Sequence, residues 1–135
     1  MDYSARHRDA KRASPSKKEV GDAGEELAAK YLLRQGYDIR ERNLRLHRDE
    51  IDIVAFDPKD AVLVFVEVKT RSKAGADFYP EMDVHQRKLA RIRRSARAWV
   101  SKHDYEGGYR LDLICVVDGR VTEHFKELDW GKETE

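Results

Sequence analysis

The stretch EIDIVAFDPKDAVLVFVEVKTR, residues 50–71, decides the fold. Its first part, Glu50–Phe56, reads as a strand, because side chains alternate along extended backbone. Alternation predicts Ile51, Ile53 and Ala55 on one face and Glu50, Asp52 and Val54 on the other. Asp57-Pro58-Lys59-Asp60 reads as a turn. Ala61–Lys69 is then a nearly unbroken apolar, β-branched run, as expected of a central strand covered on both sides. Val62, Val64, Val66 and Val68 take one face, and Leu63, Phe65, Glu67 and Lys69 the other.

Outward from this pair, apolar periodicity predicts a helix over Val20–Gln35, stopped by Gly36, and a short strand over Tyr37–Arg42. Residues 70–83, with Gly75 and Pro80, read as a loop, and Val84–His103 as a second helix. Leu111–Val117 is a buried strand, paired with Arg120–Phe125 through an Asp118-Gly119 turn. The order α, β, β, β, α, β, β makes an α/β domain with a central mixed sheet flanked by helices. Residues 1–18 show no apolar period and read as a flexible basic arm, leaving 19–135 as a single domain.

Composition narrows the class. Hydrophobic residues make up 40% and charged residues 39%, with 8 Gly and 3 Pro, which excludes a disordered or fibrous chain. Cys115 stands alone, so a disulfide framework and a Cys-based zinc site are excluded, and its apolar strand implies a buried inert thiol. No apolar run approaches the roughly 18 residues of a membrane helix. MDYSARHRDAKR has no signal-peptide core, so the expectation is a soluble cytoplasmic protein with no membrane partner.

The net charge of +1 nominates no partner, but its distribution does. Residues 84–103 carry seven basic side chains and no acidic one, whereas residues 104–135 carry nine acidic and four basic. At roughly 100° per residue, Leu89, Ile92, Ala96, Trp99 and Val100 form a core stripe on the second helix. Arg87, Arg91, Arg94 and Lys102 stand opposite, flanked by Lys88 and Arg97. Cations three and four apart repel unless solvent or an anion screens them, and a solvated helix would ordinarily mix in Glu. The row predicts contact with a phosphate backbone.

Four ionisable residues break the pattern of their own elements. Asp52 interrupts an apolar strand, and Glu67 and Lys69 end another. On the first helix, Glu25 falls amid Ala28, Ala29 and Leu32, while Glu26 turns to the polar side with Lys30. Buried ions are costly unless paired or metal-bound. A structural ion pair of Lys69 with Glu67 or Asp52 would satisfy two of them. Three carboxylates and a lysine converging on Mg²⁺ or Mn²⁺ would satisfy all four, with oxygen ligands, a gap for water, and a lysine to orient or deprotonate that water.

These residues carry a resemblance. Asp52 followed by Glu67-Val68-Lys69 is similar to the Asp…Glu-x-Lys signature of the restriction-endonuclease-like fold, although Ile51 stands where that superfamily often has proline. Glu25, eleven residues before Gly36, resembles the helix glutamate of archaeal-type Holliday junction resolvases. More closely, Gly24-Glu25, Gly36-Tyr37, Arg42-Asn43, EIDIVA, FVEVKTR and Lys88 resemble the bacterial UPF0102 (YraN-like) family, from about Gly21 to Val117. The resemblance implies a restriction-endonuclease-like α-β-β-β-α-β core. It makes Asp52 and Glu67 metal ligands with Glu50 as ligand or supporting partner, Lys69 the water-positioning lysine, and Glu25 an auxiliary acid. The function expected is a Mg²⁺- or Mn²⁺-dependent endonuclease acting on structured or branched DNA in recombination and repair, with a homodimer able to meet two strands. Arg71, Arg87, Lys88, Arg91 and Arg94 would hold nucleic acid. The alternative is a nucleic-acid-binding protein whose nuclease site is vestigial.

Other constellations are weaker. His47, His85 and His103 have no ligand spacing, and His85 and His103 fit packing or helix-boundary roles. No Ser–His–Asp set or Gly-rich phosphate loop is present in the sequence. Phe125 and Trp130 read as anchors of the C-terminal segment.

Overall fold

The computed structural model describes residues 16–46, 49–72 and 86–126, with the backbone alone for 86–89. Helix α1 spans Lys17–Arg34, strands β1, β2 and β3 span Asp38–Leu46, Asp49–Asp57 and Val62–Arg71, helix α2 spans Gln86–Lys102, and β4 and β5 span Gly108–Val117 and Arg120–Phe125. This is the α/β order expected. The arm at 1–15, His47, the loop at 73–83, His85 and Trp130 lie outside the described residues.

Helix α1 begins earlier than hydrophobic periodicity suggests, because Ser16 and Glu19 form a capping box: the Ser16 hydroxyl accepts from the Glu19 amide and the Glu19 carboxylate from the Ser16 amide. Lys17 and Lys18, expected in the arm, are therefore helical. Gly36, at φ +95°, takes the left-handed position that ends the helix. Asp118 and Gly119 both have positive φ (+49° and +79°), the backbone of the tight hairpin turn expected there.

The five strands form one sheet in the order β1-β2-β3-β4-β5, parallel between β3 and β4 and antiparallel elsewhere. Helix α1 covers one face, where Ala28, Ala29 and Leu32 meet Ile53, Ala55, Val64, Val66, Val68, Ile114 and Val116. Helix α2 covers the other, where Ala96 and Trp99 pack with Ile51, Val54, Leu63 and Phe65. Phe65 meets Trp99 and Tyr109 edge-on, at centroid distances of 5.8 and 5.6 Å. Leu63–Val68 is buried throughout, as the unbroken apolar run predicts. Cys115 is a buried thiol, as its apolar strand predicts. Among the described residues, no helix is long and apolar enough to cross a membrane.

One expectation about β2 is overturned. Ile51 packs with Val54 on the α2 face, not with Ile53 and Ala55 on the α1 face. Alternation slips by one residue at Asp52, where the β2–β3 ladder has already ended at Ile53 opposite Val66.

A buried polar cluster holds the sheet end where β3 begins, and sequence periodicity did not reveal it. Arg110 donates to both oxygens of Asp112, to Asp57 at 3.1 Å, to Asp60 at 3.1 Å and to the Tyr37 hydroxyl at 2.7 Å. His124 Nε2 lies 2.7 Å from Asp112 and its Nδ1 2.9 Å from the Tyr31 hydroxyl. A carboxylate at Asp112 accepts only, so His124 donates to it through Nε2. The cluster ties α1, β1's entry, the β2–β3 turn, β4 and β5 together. Burial pushes the Tyr37 hydroxyl up to about 12, against the lowering influence of Arg110.

Removing Arg110 strands two buried carboxylates, so Arg110→Ala should lower unfolding stability by about 3–5 kcal/mol. Arg110→Lys should recover little of it, since an ammonium lacks the fork that reaches several partners. Urea titration measures both, and a loss under ~1 kcal/mol for Arg110→Ala would show that the cluster does not tie the sheet together.

Candidate active site

Strands β3 and β4 run side by side and end together at Arg71 and Val117, where the Asp118 amide donates to the Arg71 carbonyl at 3.1 Å. A cleft of about 920 Å³ opens at this end, between the strand ends and the first half of α1. The C-terminal ends of parallel strands are where open α/β sheets generally hold ligands. Glu25, Asp52, Glu67, Lys69 and Arg71 all line it, with Lys17 and Glu19 from the start of α1.

Asp52 reaches the cleft because it leaves the strand alternation. Beyond Ile53 the β2–β3 ladder stops, and the Asp52 carboxylate accepts the Val68 amide at 2.8 Å. Glu67 and Lys69 follow from β3, with Glu67 buried and Lys69 half-buried. Glu25 comes from α1, half-buried beside Ala28 and Ala29, as the helical period predicts. Glu26 points away to a surface ion pair with Arg42 at 2.9 Å.

Glycine at position 24 is what lets α1 come this close. A Cβ there would overlap the Thr70 hydroxyl, with the Thr70 Cβ and Cγ2 at 3.1 Å. Gly24 thereby gives the Gly-Glu pair a physical meaning: the first residue permits contact with β3, and the second uses it.

The carboxylates crowd one another. Burial, then the charge of Glu67, and lastly Glu25 by its charge and hydrogen bond push Asp52 up to about 8, against the opposing Val68 amide. Burial also raises Glu25, opposed by its bond to Asp52. At neutral pH a proton therefore sits on Asp52, shared with Glu25. Among the described residues, no three His, Cys, Asp or Glu side chains form a ready-made metal cage. The paired oxygen donors of Asp52 and Glu67, facing an open cleft, nonetheless suit a hard cation that keeps water and substrate oxygens in its remaining positions.

Glu50 stands elsewhere than alternation implies. It lines a neighbouring depression of about 500 Å³ with Lys18, Asp22, Glu25, Arg42 and Arg45, so Glu25 is the residue common to both hollows. The slip at Asp52 separates the two acids.

On α2, Ile92, Ala96 and Trp99 are buried and Arg91, Arg94, Arg97 and Lys102 exposed, as the helical period predicts. The side chains of Arg87, Lys88 and Leu89 lie outside the described residues. Arg94 is engaged with Asp49 at 2.9 Å, fastening α2 to the start of β2. That start lies beyond the Ile53–Val66 pair, towards the cleft end of β3. The first half of α2 thus sits at the cleft end of the sheet. His103 stacks on Trp99 at 3.9 Å with its Nδ1 2.9 Å from the Trp99 carbonyl, a helix-boundary role as expected.

The model of the family described as "Uncharacterised protein family UPF0102" matches residues 24–116, which takes in Glu25, Asp52, Glu67 and Lys69. The chain belongs to the UPF0102 family. A UPF0102 protein of Trichlorobacter lovleyi is 48% identical over 99 residues, covering 73% of this chain and 76% of its own. One from Corynebacterium efficiens is 40% identical over 120 residues, covering 85% and 95%. Another, from Streptomyces griseus, is 45% identical over 111 residues, covering 78% and 91%.

The raised Asp52 carboxyl has a consequence for stability. Its folded pKa exceeds its unfolded one, so the native state holds the proton more tightly and is favoured most below pH about 4. That contribution declines as pH rises and is gone above about 8, the value to which Asp52 is raised. The decline should be on the order of a few kcal/mol. Asp52→Asn keeps an acceptor for Val68 and cannot ionise, so denaturation curves from pH 4 to 9 should be flatter for the variant. Parallel curves for both proteins would assign the proton elsewhere.

Proposed function

We propose that this UPF0102 protein is a Mg²⁺- or Mn²⁺-dependent endonuclease that hydrolyses phosphodiester bonds in structured or branched DNA. The observation that carries the reading is the convergence of Glu25, Asp52, Glu67 and Lys69, from three separate elements, in one cleft at the strand ends. Crowded acids gain nothing for folding, whereas a divalent cation would neutralise them.

Asp52 and Glu67 would hold the metal, Asp52 as its carboxylate after losing its proton to solvent. The metal supplies neutralisation of charge on the phosphate and acidification of a bound water. Lys69 lies on the same strand face as Glu67, two residues on, and holds the attacking water against the phosphorus. Glu25 hydrogen-bonds to Asp52 and fixes the orientation of its carboxylate. Arg71 continues the same face of β3 and meets a neighbouring phosphate. Arg87, Lys88 and Arg91 on the first half of α2 hold the nucleic-acid backbone leading into the cleft. Arg94, fastened to Asp49, orients the helix as well as adding charge.

Mn²⁺ titration of the full chain, read by thermal unfolding and by cleavage of linear, flap and four-way DNA, tests this. Mn²⁺ should raise the melting temperature through mass action on the native state, and Asp52→Ala should abolish the increment even if the metal-free variant is more stable than wild type. Lys69→Ala should keep the increment and DNA affinity while losing cleavage. Affinity for DNA without cleavage by wild type would favour the alternative of a nucleic-acid-binding protein with a vestigial site. No Mn²⁺ increment in wild type would remove the metal.

The basic helix has its own signature. Arg87→Ala with Arg91→Ala leaves the Asp49–Arg94 tie intact. The pair should lower DNA affinity for all sequences alike, because phosphate contacts position rather than specify. The slope of log affinity against log salt should shrink by roughly 0.9 per lost contact on duplex DNA, so by up to about 1.8. An unchanged slope would return this face to simple solvation.

A further inference from the structure

Asp52 is aimed by a feature of the strand beside it. Asn43, in β1, has φ +53°, the left-handed region that a strand residue ordinarily avoids. Arg42 pairs with Ile53 and Leu44 with Ile51, so Asn43 stands opposite Asp52. Side chains two apart on a regular strand share a face. Here they do not. Arg42 turns to the α1 side, where it meets Glu26, whereas Leu44 packs in the α2 core. Across from them Ile53 packs on the α1 side and Ile51 in the α2 core. Both strands turn over at one cross-strand pair, and the β1–β2 register is the same on either side of it.

The turnover explains Asp52. Its neighbours point to opposite faces, so its own side chain is left along the plane of the sheet, directed at β3. There its carboxylate takes the Val68 amide at 2.8 Å. Had alternation continued, Asp52 would face the α2 core with Val54. Asn is among the few non-glycine residues that enter the left-handed region readily, through local hydrogen bonding of a short polar side chain.

We infer that Asn43 is a positioning residue for Asp52: its left-handed backbone turns β1 and β2 over together and lays the Asp52 carboxylate across the strand end, onto the Val68 amide and towards Glu25 and Glu67. The consequence for metal rests on the function proposed above, while the consequence for Asp52 does not.

Two readouts separate these. The Val68 amide resonance in ¹⁵N-labelled full-length protein reports the Asp52 hydrogen bond directly, and Mn²⁺ alone, by calorimetric titration, reports the site. Asn43→Gly, which tolerates positive φ, should leave the Val68 amide near its wild-type position and Mn²⁺ affinity within about twofold. Asn43→Val, for which this conformation is an outlier, should shift the amide and weaken Mn²⁺ at least tenfold. Asn43→Ala serves if the valine variant does not fold. Ala61 is the control, because it too has positive φ (+57°) but lies at the opposite end of β3 from Lys69. Ala61→Val should lose stability without moving the Val68 amide or Mn²⁺ affinity. An unmoved Val68 amide in the Val and Ala variants, or an equal shift in Ala61→Val, would overturn the inference. If wild type takes up no Mn²⁺, the metal reading falls, and the Val68 amide still decides the role of Asn43.

Discussion

Strand β3 is sealed on both faces, and that constraint organises everything else. A strand pressed between two helices has no solvent-facing side on which to carry charge, so its polar residues are confined to its ends. Glu67, Lys69 and Arg71 sit where the helix cover runs out, at the end β3 shares with β4. The two ends then diverge in character. At the beginning of β3, Arg110 brings its cation to carboxylates and a tyrosine, and nearly every donor and acceptor is matched. At the other end Asp52 is crowded by Glu67 and Glu25, and its carboxylate takes the Val68 amide.

That contrast separates structure from chemistry in a way residue types alone would not. Both clusters are buried, acidic and assembled from several elements. The Arg110 cluster is balanced as it stands, and its buried aspartates lose more than they gain if anything is removed. At the other cluster, burial and the neighbouring acids Glu67 and Glu25 push the Asp52 carboxyl up to about 8. The cleft beside it is open to solvent and substrate, whereas Asp112 has none of its side chain exposed. Perturbed carboxyls in a cleft are a recurring mark of functional sites.

Most of the sheet was legible in the sequence because each strand announces itself by its own period. The unbroken run of β3, the Asp118-Gly119 turn and the stripe Ile92, Ala96, Trp99 were readable without coordinates, as were Glu25, Asp52, Glu67 and Lys69 as breaks in pattern. The failures have physical causes. Ile51 and Glu50 were assigned by strict alternation, which fails where a left-handed residue turns the strand; Asn43 in a strand was the available clue. Helix α1 started at its cap, Ser16, and hydrophobic periodicity is blind to caps. Arg94 looked like one more cation in a row, because nothing local reveals Asp49, 45 residues earlier in the chain. Arg110 and Asp112 alternate with Leu111 and Leu113, so the signal for the buried cluster was present, in a strand read from Leu111 onward.

The site's acids are thus placed by backbone as much as by side chains. Glu25 approaches because Gly24 has no Cβ to hold α1 away from Thr70. Asp52 approaches because Asn43 and its own position turn over together. Glu67 follows Leu63 and Phe65 by alternation onto the α2 face of β3, from where its charge still acts on Asp52. Glu25 and Glu67 each bear on Asp52 and raise its carboxyl, and that repulsion would draw the acids away if any route were compliant. None is: a helix seated on a sheet, a paired turnover and a doubly covered strand are all held by packing distant from the charges. The fold therefore holds Asp52 beside acids that raise its carboxyl, by packing that lies away from the charges themselves.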